Sequence, residues 1–148
     1  MITSKITRRT LLFIITIAFL SCKSYTIPID SFKEQLMESN SSSMKGVRVN
    51  NPLSLGTISY AANNVEGLIV KDKNGSNSYL RNSPSIEMRV THVNGKKYHM
   101  YFDTVIIENN ILKGARSRLI QGINREIPID SIVKIEVQDG GKKFRYQQ

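Results

Sequence analysis

A mainly β, antiparallel fold is predicted by three stretches of this chain. Ser85–His92 alternates, with Ile86, Met88 and Val90 on one face and Glu87, Arg89 and Thr91 on the other. Val93-Asn94-Gly95-Lys96 comes next as a strong hairpin signal. Val133, Ile135 and Val137 alternate with Lys134 and Glu136 ahead of a turn at Asp139-Gly140-Gly141. Together they predict an antiparallel meander of about six or seven strands. Its apolar face must be covered, either by closure into a small, partly open barrel or by a helix.

The chain opens on Met1–Thr10, which carries Lys5, Arg8 and Arg9 and no acid. Leu11–Leu20 is an uncharged run, LLFIITIAFL, and Ser21 and Cys22 come after it. A span across a ~30 Å hydrocarbon core needs about 20 apolar residues, so this run is too short to cross and suits the apolar region of a signal peptide. Ala18-Phe19-Leu20-Ser21-Cys22 resembles a bacterial lipobox. Ser21 is the small residue expected before the cysteine, and Phe19 stands where Leu, Val or Ala is usual. The resemblance implies cleavage before Cys22, residues 1–21 as signal peptide, and acyl chains on the Cys22 thiol and its freed amine. Lys23, in place of an aspartate, points to the outer membrane, and the lack of an acidic stretch after Cys22 points to its periplasmic face. Each buried CH₂ contributes about 0.8 kcal/mol, so two or three chains on one residue make a durable anchor.

Removing that leader leaves 127 residues, enough for one domain with a real core. The leader holds three of the 21 basic residues and none of the 12 acids, which leaves a net charge of +6. Such a surface can favour an anionic envelope component or a protein partner. Cys22 is the only cysteine, so the folded part has no disulfide and no thiolate ligand or nucleophile.

Residues 22–56 read as a lipid-attached tether with a short helix near 31–39. Ser31-Phe32-Lys33-Glu34 has the capping-box pattern, and Phe32 and Leu36 share one face. Asn40-Ser41-Ser42-Ser43 ends it. Residues 57–148 read as the antiparallel β domain. Glu66–Asp72 is rich in Leu, Ile and Val, and Lys73-Asn74-Gly75-Ser76 turns the chain.

The register of the next hairpin decides a functional question. A two-residue Asn94-Gly95 turn puts His92 and His99 on one face. A three-residue loop, with Gly95 left-handed in a bulge, pairs Val90 with Tyr98, Met88 with Met100 and Ile86 with Phe102. Only the second makes one face uniformly apolar, and register follows the buried face. It therefore separates His92 from His99.

Asp103-Thr104 interrupts the strand, and Val105-Ile106-Ile107 reads as a covered one. Asn109-Asn110 makes a tight turn into Ile111–Ala115. Residues 116–126 are irregular and carry Arg116, Arg118 and Arg125. Ile127-Pro128-Ile129-Asp130-Ser131 resembles the short turn before the last strand of SH3-like and Sm-like barrels. The same pentapeptide stands at Ile27–Ser31, with nothing around it recurring. The final hairpin is expected to place Phe144 and Tyr146 on the face of Val133, Ile135 and Val137.

Few residue combinations could carry chemistry. Two histidines without clustered acids make no metal site, and no cofactor is implied. Ser78 or Ser85 with His99 is the one hydrolase constellation to weigh. Glu87, Asp103 and Glu108 are candidate paired carboxylates, which alternation and turns explain equally well. No phosphate-cradling glycine loop occurs. Lys96-Lys97-Tyr98 and Lys142-Lys143-Phe144-Arg145-Tyr146 interleave cations with aromatics, and read as solvated strand edges rather than a nucleic-acid surface. The expectation is a lipid-anchored envelope protein with no catalytic residues, a binding or scaffold module meeting its partner through its outer basic strand face. The alternatives are a periplasmic hydrolase using His99, or an inhibitor or immunity-type protein with Arg116 or Arg118 at the tip of a protruding loop. Pro84–Arg89 and Lys134–Gly140 also resemble segments of short Bacteroidota lipoproteins of unknown function, which implies no activity.

Overall fold

The computed structural model describes residues 23–52, 54, 56–118, 120 and 124–147. The expected signal peptide, residues 1–21, and the expected lipid attachment site, Cys22, lie outside them. A six-stranded sheet forms the centre. In spatial order it holds Asn77–Arg81 (β5), Gly67–Lys71 (β4), Ser24–Ile27 (β1), Ile132–Asp139 (β11), Ile86–His92 (β6) and Lys97–Tyr101 (β7). A second sheet holds Asn124–Pro128 (β10), Ile111–Ala115 (β9) and Ile106–Glu108 (β8), and a third Tyr146–Gln147 (β12), Lys45–Asn50 (β2) and Thr57–Ala62 (β3). Every described pairing is antiparallel, and the sheets do not close into a barrel.

The β6–β7 hairpin takes the bulged register. Gly95 is left-handed at φ 82°, Val90 pairs with Tyr98 and Met88 with Met100. Asn109 and Asn110 are both left-handed, at φ 52° and 61°, the conformation that a two-residue hairpin turn requires. Met88, Val90, Ile135, Val137, Leu68 and Val70 point to one face of the central sheet and are buried. One short helix, Ile29–Gln35 (α1), covers that face with Phe32, and Leu36 continues inward just after it.

Three local expectations are corrected. The helix begins after Pro28, not at Ser31. Proline's fixed φ and missing N–H suit a helix start, and Phe32 N–H donates to the Pro28 carbonyl at 2.9 Å. Ser31 lies inside the helix, where its hydroxyl accepts from Gln35. Gln35 also exchanges two hydrogen bonds with the Ile69 backbone and stitches α1 to β4. Secondly, the stretch read as tether supplies β1, inserted between β4 and β11, and β2. Tyr25 and Ile27 alternate toward the core, but four residues are too few to announce a strand before their neighbours are known.

Thirdly, the last hairpin does not form. A bulge between Ile132 and Lys134 turns Val133 outward, 56 % exposed, while Ile132, Ile135 and Val137 stay buried. Beyond Gly141, left-handed at φ 61°, the chain leaves β11, and Tyr146 pairs with Val49 of β2. Asn50 holds this tail, its side-chain amide donating to the Lys143 carbonyl at 2.8 Å and accepting from the Arg145 N–H at 2.6 Å.

The bulge is testable by comparing two valines of similar sequence context. Val133→Asp is expected to leave stability within about 0.5 kcal/mol of the parent. Val90→Asp should prevent folding, and Phe102→Ala should cost about 3–5 kcal/mol. Urea unfolding followed by circular dichroism measures all three.

Candidate functional site

The most unusual chemistry of the molecule is a buried ion pair where the three sheets meet. Strand β7 ends at Tyr101, and the chain makes one 3₁₀ turn, Phe102–Thr104. Asn63 pins that turn from beyond β3: its N–H donates to the Asp103 carbonyl at 2.7 Å, and its side-chain amide to the Phe102 and Val105 carbonyls, both at 2.8 Å. Thr104 closes the other side, donating to the Tyr101 carbonyl and accepting from the Ala115 N–H. The Asp103 carboxylate is thereby held at 0 % exposure.

Each of its oxygens is occupied. Arg118 Nη2 donates to Oδ1 at 2.8 Å, while the Tyr60 and Tyr146 hydroxyls both donate to Oδ2, the latter at 3.1 Å. The Arg118 guanidinium lies among aromatic rings, its Cζ 3.7 Å from the Tyr101 centroid, 5.0 Å from Phe144 and 5.3 Å from Tyr60. Its Nε and Nη1 are buried without a described partner. Burial first, and then the adjacent Asp103 charge, push both phenol pKa values far up. An apolar cleft of about 370 Å³ adjoins this network, walled by Ile58, Tyr101, Arg118 and Phe144.

The inhibitor alternative needs Arg116 or Arg118 at the tip of a loop, whereas Arg118 is part of the interior. Charge burial explains it: a guanidinium enters a protein only with a partner, and Asp103 is that partner. Tyr60 and Tyr146 carry no functional signal in the sequence. The three partners lie 15 to 43 residues from Asp103 along the chain, and no local pattern joins them.

A second feature is exposed. Lys96 and Lys97 of the β6–β7 hairpin, Tyr98 and His99 of β7, Arg116 after β9 and Arg125 of β10 line a concavity of about 310 Å³. Among the described residues no carboxylate lines it. Lys96 Nζ stands 5.3 Å and Arg125 Cζ 6.0 Å from the Tyr98 ring centroid. The ion pairs of the described residues use other cations, namely Lys33, Arg89, Lys113, Arg118, Lys134 and Lys142.

The remaining candidates are dispersed. His99 is exposed opposite Arg89, with no hydrogen bond to a described serine or carboxylate. His92 accepts from the Asn94 N–H at 3.2 Å and meets Tyr98 edge-on. Ser78 is on β5, the far edge of the sheet from β7, about 24 Å away at ~4.8 Å per strand. Ser85 shares a hydrogen bond with Ser83. The three carboxylates have separate cationic partners: Glu87 with Lys142, Asp103 with Arg118 and Glu108 with Lys113. Burial raises the Glu87 pKa, but hydrogen bonds from Lys142 and Gln138 bring it below the ordinary value. Among the described residues no group of three His, Cys, Asp or Glu could hold a metal, and no helix is long and apolar enough to cross a membrane.

Comparison with family models, curated proteins and solved structures finds no match in any of the three.

Asp103→Asn and Arg118→Met each break a buried pair and are expected to cost about 3–5 kcal/mol. In a urea double-mutant cycle built from Asp103→Leu and Arg118→Met, the double change should cost less than the sum of these two singles. Tyr60 and Tyr146 should stay protonated in an alkaline titration followed at 295 nm until the domain unfolds. Their pKa values are raised by folding, so the stability linked to them is complete below the ordinary tyrosine range and is lost as pH rises above it. Glu136 has the opposite sign. The Arg89 hydrogen bond, opposed by burial and aided by Lys134, holds its pKa at about 2. That contribution is complete above the ordinary glutamate range and is lost as pH falls toward 2, and Glu136→Gln should flatten this part of the acid unfolding curve.

Proposed function

We propose that this protein is a lipid-anchored component of a bacterial cell envelope, outer-membrane-bound and facing the periplasm, whose domain binds a partner and does no chemistry. One observation carries the reading. Strand β1, the first strand among the described residues, opens at Ser24, two residues after Cys22, where the lipobox-like pattern would place a mature N-terminus. The residues before Cys22 have the basic-then-apolar order of a leader, and Cys22 is the lipid attachment site.

The anchor then has no tether. Two extended residues span about 7 Å, so the central sheet is held directly against the bilayer surface. The lack of catalysis is supported by the pairing of each candidate carboxylate with its own cation and by the solvent-facing His99. The contact surface of this reading is the outer basic face around β7.

Cys22→Ala is expected to move the protein from the membrane pellet to the soluble fraction of native cells. Intact mass of the parent should show a chain starting at residue 22 with added acyl mass. Persistent membrane association of the variant would refute the anchor.

A further inference from the structure

We propose that the concavity around Tyr98 is a binding site for a ligand carrying several phosphates close together, presented on a soluble chain rather than on the headgroups of the protein's own bilayer. This deepens the binding-module reading and rests on it for the orientation alone.

The cluster is built by tertiary structure. Lys96 and Lys97 come from one hairpin, while Arg116 and Arg125 come from the β9–β10 segment of a different sheet. Strand alternation explains the absence of acid. Arg125 faces the concavity, while its neighbour Glu126 lines a separate cavity with Lys113. Other cations stand beside acids, as Lys113 does with Glu108 and Lys134 with Glu136. Here four cations share one small space without a carboxylate, and their mutual repulsion is relieved by an anion.

Charge density sets the chemistry of the anion. Four positive charges border about 310 Å³. A carboxylate brings one negative charge, whereas a phosphate monoester brings about 1.5 to 2 near neutral pH, with three acceptor oxygens. Guanidinium forks match phosphate oxygens in pairs, and lysines add point charges. Tyr98, flanked by Lys96 and Arg125, supplies a flat wall for the body of the ligand.

The register supplies the direction. Ser24 lies in one row with Gln138, Glu87 and Tyr101, so Tyr101 marks the end of β7 nearest Cys22. Lys97 is at the other end of that strand, four residues or about 13 Å further on. In the anchored orientation proposed above, with the strands along the bilayer normal, two further extended residues to Cys22 would give about 20 Å, more than twice the ~8 Å Debye length of physiological salt. Charge on the anchoring bilayer is screened at the cluster, which instead faces whatever lies beyond the membrane.

The test is a calorimetric titration of the full chain, in non-ionic detergent at physiological salt, with inorganic tripolyphosphate and with citrate. Tripolyphosphate should bind at least about tenfold more tightly than citrate. Arg116→Gln/Arg125→Gln should weaken tripolyphosphate by about tenfold or more and flatten its salt dependence. Lys73→Gln/Lys143→Gln, which removes two exposed lysines outside the cluster, should leave it unchanged. Absence of binding, equal affinity for citrate, or equal loss in the control variant would overturn the site. A second arm places the protein in vesicles of phosphatidylcholine or of phosphatidylglycerol. Equal tripolyphosphate affinity on both is expected. Suppression on phosphatidylglycerol would identify the bilayer's own headgroups as the occupant and overturn the soluble source. A protein that fails to enter either vesicle refutes the lipid anchor, while the titration in detergent still decides the site.

Discussion

The Asp103–Arg118 pair is the contact on which the arrangement of the sheets depends. Asp103 belongs to the turn that ends the central sheet, Tyr60 and Tyr146 to the third sheet, and Arg118 to the segment that leaves the second. A buried ion pair contributes little net stability against an apolar replacement, but separating its members leaves an uncompensated charge in the interior. Any packing that slides one sheet past another therefore incurs a large penalty. This constraint accounts for the tail. With Tyr146 committed to Asp103 and Phe144 to the Arg118 guanidinium, residues 142–147 cannot return along β11 as a hairpin.

Two groups of cations differ sharply in their surroundings. Arg89, Lys113, Lys134 and Lys142 neutralise carboxylates on strand faces, and Arg118 does so in the interior. Lys96, Lys97, Arg116 and Arg125 converge without a carboxylate among them. Net charge does not distinguish the two groups. The difference arises because neighbouring residues on a strand face opposite ways, which carries Glu126 away from Arg125, and because two sheets bring their basic edges together.

The β6–β7 hairpin and the Asn109-Asn110 turn were legible, whereas the hairpin expected at Asp139-Gly140-Gly141 does not form. The β6–β7 register came from demanding one apolar face, and Gly95 and Asn109-Asn110 announced their left-handed turns. The two copies of Ile-Pro-Ile-Asp-Ser show both the reach and the limit of local coding. The first ends β1 at Ile27 and the second ends β10 at Pro128, and each bends at proline with φ near −57° and starts a helical turn. Their continuations diverge: Phe32-Lys33-Glu34-Gln35 extends helix α1, and Ile132-Val133-Lys134 becomes strand β11. The buried site was far less legible. Asp103 was visible as a candidate paired carboxylate, Arg118 as a candidate loop-tip residue and Tyr146 as part of a cation–aromatic run, and nothing in the sequence joined them or Tyr60 into one site.

Residue order alone determined the antiparallel β character, the central hairpin with its two histidines on opposite faces, and a basic balance of charge. These arise from side-chain alternation and turn chemistry, which act over a few residues. Tertiary structure decided that residues 24–27 are a central strand, that Val133 lies on a bulge, that the tail joins β2, that Arg118 is interior and that four cations surround Tyr98. Each of those outcomes compares partners distant along the chain, where the cost of an unpaired buried group or an exposed apolar face is set by the whole assembly rather than by neighbours in sequence.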